Sequence, residues 1–388
     1  MIICFECQAG TKKLLDELVA SGGYHDFADV IAAAVANQAL LHSKVGEQGS
    51  IVIADTSENR GASRIPGRNS DRVSGPSARK LRSASASPNP DASASGGGER
   101  LDLRVPELFV LNGMHEAAGT PAARPDDVWV PGQEVPISRW LFGQYNKLLP
   151  AKASCRALAH LLTSEPDGVS LSSTAPKIAE AAAHLGDYLA TLDAASGATR
   201  DEALATAFPK TGQGGDKSRL RYASQFVAWI NSHGQISGLL MGVKLINRTS
   251  HKDPRIKLTD AGWRFALLGN PVLDAAEASK ASKLSNEERA LLLEHIASSV
   301  AAEDFAYRAV LKGIADGANT PESLDEFLVR RIPAGTDELT KEFVATQRSG
   351  VVSRMIDLGL LARVRDGVRV SYAATERATG YLMQESKR

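Results

Sequence analysis

The stretch from Lys217 to Leu268 constrains this chain more than any other, because its hydrophobic period changes there in a fixed order. From Lys217 to Asn231, Leu220, Ala223, Phe226, Val227 and Ile230 recur at helical spacing, and Lys217, Arg221, Ser224 and Gln225 fall toward the opposite side. Gly234 ends that helix, and Gly238 opens a strand expected to run to Ile246. A basic loop follows with Lys244, Arg248, His251, Lys252 and Arg255, then a second strand from Arg255 to Leu258 that carries Lys257. Thr259 or Asp260 caps a closing helix. From Lys210 to Arg264 ten lysines and arginines face three aspartates, although Lys plus Arg and Asp plus Glu both total 45 in the whole chain. Charge is therefore concentrated locally.

A shorter version of the same order recurs from Leu339 to Leu382. A helix from Thr336 or Asp337 to about Leu358 turns Phe343, Val344, Val351, Val352, Met355 and Ile356 inward and Lys341, Gln347, Arg348, Ser349 and Arg354 outward. Gly350 in its middle allows two shorter helices instead. Gly359-Leu360-Leu361 echoes Gly238-Leu239-Leu240, and Asp366-Gly367 is a hairpin signal suited to a type I′ turn. Arg363, Arg365 and Arg369 lie along this hairpin, and Thr375 takes the place of Thr259.

Helix, hairpin and closing helix in that order, with Leu-Thr-x-x-Gly at Leu258–Gly262, resemble the second half of a winged helix-turn-helix. The resemblance implies two tandem winged-helix-like domains, at 151–274 and 284–388, that contact duplex DNA through basic helices and wings. On that reading the contacts are Lys217, Arg219, Arg221, Ser224, Gln225, Lys244, Arg248, Lys252, Arg255 and Lys257 in the first domain. In the second they are Lys341, Gln347, Arg348, Arg354, Arg363, Arg365 and Arg369.

The beginning of the chain reads differently. A β-like run at Met1–Gln8 precedes two helices, one with Leu14, Leu15, Leu18 and Val19 and one with Phe27, Val30, Ile31, Ala34 and Val35, separated by Gly22-Gly23. Residues 1–45 resemble the ribbon-helix-helix family, in which two chains pair their strands into an antiparallel ribbon. The resemblance implies a homodimer. Glu6 and Gln8 would point outward, and with five acids against three lysines the segment is acidic, so it reads as a dimerisation module before a groove reader. Residues 56–104 are rich in Ser, Gly, Pro and Arg and too poor in apolar side chains to offset ordering entropy, which predicts a disordered linker. Residues 105–150 form a connecting segment, with a helix expected after Ser138 that packs Trp140, Phe142 and Tyr145 on the domain that follows. Ser285 with Glu288 matches a capping box, and Thr320-Pro321 matches a helix start.

Several function classes lose support. No apolar run approaches the ~20 residues that span a bilayer, and no basic leader precedes a long apolar run, so a cytoplasmic protein with no membrane partner is expected. Cys4 and Cys7 have no second pair to complete a zinc site, and Cys155 sits in an apolar helical pattern. No nucleotide-binding, metalloprotease or nucleophile-elbow motif occurs; the Gly212–Ser218 stretch has the wrong spacing for a phosphate loop. The expectation is a mainly α, non-catalytic DNA-binding protein with small β-hairpins, used in transcription regulation, with no cofactor and no metal. The second expectation is an adaptor that uses the same modules to bind a protein partner in a defence or chromosome-organising complex.

Overall fold

The computed structural model describes residues 104–274 apart from 112, 131, 213 and 251–253, then 282–332 and 339–383, together with two short strands near the N-terminus. The chain divides into two compact units, Met1–Ala94 and Ser95–Arg388. In the first, β1 (Cys4–Phe5) pairs in parallel with β2 (Val52–Ile53). This pairing is within one chain and parallel, where the ribbon reading expects antiparallel pairing between two. The helices expected between residues 11 and 45, and the linker expected at 56–104 apart from Arg104, lie outside the described residues.

The second unit is mainly helical with small antiparallel sheets. Its first half runs α1 (Leu148–Leu162), β3 (Val169–Ser170), α2 (Leu171–Ser196), α3 (Gly215–Tyr222), β4 (Trp229–Ile230), β5 (Ile236–Ser237), α4 (Leu239–Gly242), β6 (Ile246–Arg248), β7 (Arg255–Leu258) and α5 (Asp260–Leu267). β7 is central, antiparallel to β6 on one side and to β3 on the other. The second half runs α6 (Asn286–Ser299), α7 (Ala301–Ala315), α8 (Pro321–Arg331), α9 (Lys341–Asp357), β8 (Leu361–Asp366), β9 (Arg369–Ala374) and α10 (Glu376–Met383). Both predicted starts hold: Ser285 and Glu288 close a capping box at α6, and Thr320 with Pro321 at the first turn opens α8.

Four local expectations change. α3 continues only through a π-helical turn at Ala223–Val227, after which Trp229 and Ile230 are extended, so the long helix to Asn231 is not formed. The stretch expected as a strand from Gly238 holds the helical turn α4, and the strand begins at Ile246. Only a 3-10 turn, Ile137–Arg139, occurs near Ser138. Residues 200–207, whose sequence also predicts a short helix, form turns whose Leu204 and Ala205 amides donate to the Asp193 carboxylate.

The two halves share one apolar core that extends from Phe109 to Tyr381. Charged side chains buried inside it join them. Lys152 on α1 and Glu288 on α6 are both fully buried with Nζ 2.8 Å from Oε1. Lys152 also donates to the Phe265, Ala266 and Leu268 carbonyls at the end of α5, which lack helical partners. Arg156, one turn along α1, donates to the carbonyls of Phe109, Ala266 and Leu268 and pairs with Asp274. Arg354 on α9 pairs with Glu303 on α7 at 2.6 Å with both side chains at zero exposure, and its Nη1 reaches the Tyr145 carbonyl at 2.7 Å. Residues 105–150 are thus part of the core of both halves. Trp140 meets Phe305 of α7 edge-on at 6.5 Å, so it packs on the second half, while Tyr145 from the same segment interacts with Trp229 of the first.

Candidate nucleic-acid interface

Each hairpin is aimed by the same set of backbone hydrogen bonds. At the end of α4 the Leu245 amide donates to the Leu240 carbonyl and the Lys244 amide to Met241; at the end of α9 the Leu360 amide donates to Met355 and the Gly359 amide to Ile356. This is the Schellman pattern, and it places a left-handed residue at the turn. The φ values agree: +56° at Lys244 and +74° at Gly359. Beyond the hairpins, Thr259 and Thr375 return to the same places. Thr259 donates through its amide to Leu245 and through Oγ1 to the Lys244 carbonyl at 2.9 Å, and Thr375 does so to Leu360 and to Gly359 at 2.7 Å. The true counterpart of Gly359-Leu360-Leu361 is therefore Lys244-Leu245-Ile246, and the likeness to Gly238-Leu239-Leu240 is a coincidence of letters.

Gly262 completes the first lock. Its amide donates to Thr259 Oγ1 at 3.2 Å, and an added Cβ would stand 2.0 Å from the Leu245 carbonyl oxygen. The glycine of Leu-Thr-x-x-Gly is required by close approach of α5 to that turn. Ala378, almost fully buried, holds the equivalent place in the second half.

The hairpins themselves differ. In the first, β6 and β7 share three residue pairs, from Ile246–Leu258 to Arg248–Ile256. In the second, β8 and β9 are six residues each and pair along their whole length, so this hairpin is the longer ribbon, not the shorter. Its loop is Gly367-Val368, and only Gly367 has positive φ, the sign pattern of a type II′ turn and not the expected I′.

The predicted contact residues fall into three groups. Lys217, Arg221, Lys341 and Arg369 are exposed, and Lys257 is half-buried; none of the five side chains has an ion pair or hydrogen bond among the described residues. A second group is surface-lying but occupied. Arg219 pairs with Glu180 and Asp216, Arg255 with Glu165, and Arg348 with Asp325. Arg363 and Arg365 both grip Asp201, and this pairing holds the Asp201 carboxyl below its usual pKa against the opposing effect of burial. Arg248 reaches the Gly234 carbonyl at the β4–β5 turn at 2.8 Å, Gln225 bonds Gln144, and Ser224 bonds the Arg221 carbonyl. Lys252 lies outside the described residues.

The third group is buried, which corrects the reading of Lys244, Gln347 and Arg354 as DNA contacts. Lys244 is 7% exposed and pairs with Asp127 at 2.8 Å. Gln347 is 1% exposed and bonds the Gly143 amide and the carbonyls of Ile137 and Trp140. Arg354 is spent on Glu303. The cause for the last two is one feature. Residues 137–147 lie across the face of α9 that the sequence turns outward, and Gly350 makes this possible. A Cβ on Gly350 would come 2.3 Å from the Gly143 carbonyl oxygen, so the glycine serves close packing and α9 remains one continuous helix.

His295, scattered among histidines with no expected role, proves to sit where the halves meet. It is 8% exposed, and its Nε2 lies 2.8 Å from the Val243 carbonyl on the first half. Burial, together with Arg124, Lys244 and Arg264 nearby, pushes its pKa below the ordinary value, and the Val243 hydrogen bond only partly opposes this. The folded chain therefore keeps the neutral ring while the unfolded chain takes up a proton near pH ~6.5. Stability from this group is fully present above that pH and is lost as pH falls below it. Urea unfolding from about pH 7.5 to about pH 5 is expected to show a steeper loss for the parent than for His295→Gln, which keeps a donor without titrating. Equal slopes would refute it.

Cys155 is fully buried and burial pushes its thiol up to about 12, which leaves it without nucleophilic character at neutral pH. Among the described residues no three His, Cys, Asp or Glu side chains are grouped as metal ligands, and no helix is long and apolar enough to cross a membrane. No protein-family model, curated protein or solved structure matches this chain.

Proposed function

We propose that this chain is a non-catalytic duplex-DNA-binding protein of regulatory type, whose second unit consists of two winged-helix-like halves. The carrying observation is the repeated Schellman-and-threonine lock, which projects a hairpin with cationic edges from each half: Arg248, Arg255 and Lys257 on one, Arg363, Arg365 and Arg369 on the other. Contact on this reading is made by hairpins and by the exposed Lys217, Arg221 and Lys341, not by insertion of α9, whose outer face is covered. Phosphate contacts of this kind position a protein on a duplex without reading its bases. Residues 1–45 as a dimerisation module would bring four hairpins to one duplex.

Lys257→Glu with Arg369→Glu tests the reading, since neither side chain has a structural partner among the described residues. Fluorescence anisotropy with several duplexes is expected to show about tenfold or more weakening on every sequence, and a shallower dependence of affinity on salt. Unchanged affinity removes the hairpins from the interface.

The adaptor reading keeps one specific support. Trp229 is 43% exposed, Ile230 40% and Phe142 37%, and Phe142 stands edge-on to Tyr145 at 5.5 Å. An aromatic surface of this kind suits a protein partner. If the parent shows no salt-dependent duplex binding, this surface becomes the interface to pursue.

A further inference from the structure

A cavity of about 700 Å³ opens where the two halves meet, between the end of α2, the turns that follow it, α6, α9 and β8. Its volume lies in the ligand range of ~300–1,000 Å³. The carboxylates on its wall are engaged. Asp193 accepts from the amides of Leu204 and Ala205, Asp201 is held by Arg363 and Arg365, Glu202 accepts from Thr199, and Asp357 accepts from the Leu148 amide. The donors are not. Lys147, Arg200, Ser349 and Ser353 line the same space, and their side chains have no hydrogen bond or ion pair among the described residues. Ser353 is 8% exposed, while Arg200 and Ser349 lie at the open rim. Lys147 is half-buried, and burial, with Lys283 and Arg363 nearby, pushes its pKa down against the opposing pull of the Asp357 and Asp201 carboxylates. A partly desolvated ammonium without a hydrogen-bond acceptor is costly, and an anion entering the cavity would supply one.

We propose that this cavity binds a small phosphorylated molecule, whose phosphate is held by Lys147, Arg200, Ser349 and Ser353. Two cations and two hydroxyls match a group that carries close to two negative charges and three acceptor oxygens. No aromatic side chain lines the cavity, so nothing there would stack a nucleobase, and the remaining volume fits a second phosphate or a hydroxyl-bearing carbon skeleton. Arg363 belongs both to this wall and to the grip on Asp201, so an occupant would lie against the root of the second hairpin.

Calorimetry on the full chain, with inorganic pyrophosphate and with glucose 6-phosphate as probes, tests the assignment without any DNA present. At least one probe is expected to bind and to raise Tm beyond sodium chloride of equal ionic strength. Affinity should fall about tenfold in Lys147→Met and in Ser353→Ala, and be unchanged in Lys312→Met, a surface lysine on α7. No binding by either probe overturns the proposal, as does equal binding by the parent and both cavity variants. Because the readout is ligand binding, these results stand apart from whether the hairpins contact DNA.

Discussion

Glu288→Ala is expected to cost about 3–5 kcal/mol of folding stability, enough to unfold much of the second unit. The glutamate has three tasks. It pairs with Lys152 at 2.8 Å, accepts from Asn270 Nδ2 at 2.9 Å and closes the α6 capping box by accepting from the Ser285 amide at 2.7 Å. Removing it leaves the fully buried Lys152 ammonium with carbonyl acceptors but without its paired carboxylate. Burial already pushes the Lys152 pKa down to about 8 with the glutamate in place. Replacing both partners, as Lys152→Met with Glu288→Leu, removes the unpaired charge as well as the pair. Urea denaturation is expected to find this double variant more stable than Glu288→Ala, because the single change leaves an unmatched ion and the double does not. If Glu288→Ala lies within about 0.5 kcal/mol of the parent, the pair is not the joint between the halves.

Arg354→Met is expected to destabilise by a similar amount, about 3–5 kcal/mol, and to leave the duplex affinity of the remaining folded protein unchanged. A DNA-facing arginine on a solvated helix would lose affinity on substitution and little stability, within about 0.5 kcal/mol. A buried one leaves the Glu303 carboxylate unpaired and the Tyr145 carbonyl without its donor. Denaturation and anisotropy on the same preparation separate the two. Lost affinity with parental stability would restore Arg354 to the interface.

Much of the local structure was legible. Caps at Ser285, Thr320 and Thr259, the helical stripes of α6 to α9 and the hairpin around Gly367 all follow from residues within about four positions of each other. Local signals also misled where two structures compete for the same letters. Gly238-Leu239-Leu240 reads as a strand start, but Leu239 and Leu240 are both fully buried, a pattern a short helical turn satisfies as well as a strand. The positive φ at Lys244 had no signal, since a lysine does not announce a position that glycine normally takes.

The candidate site was legible in part for the same reason. Which residues are cationic, and that they cluster around two hairpins, is written in the chain itself: the basic stretch from Lys210 to Arg264 and the arginines of β8 and β9. Whether a cation is free, paired or entombed was decided only by tertiary structure. The groups that settle it lie far along the chain: Asp201 for Arg363 and Arg365, Asp127 for Lys244, residues 137–147 for Gln347. Helical periodicity gives a face, and a face is solvent-exposed only if no other segment covers it. Here one does, because Gly143 and Gly350 let two backbones meet. The cavity of unmatched donors has the same origin, formed by segments that share a wall only after the two halves have closed on a single core.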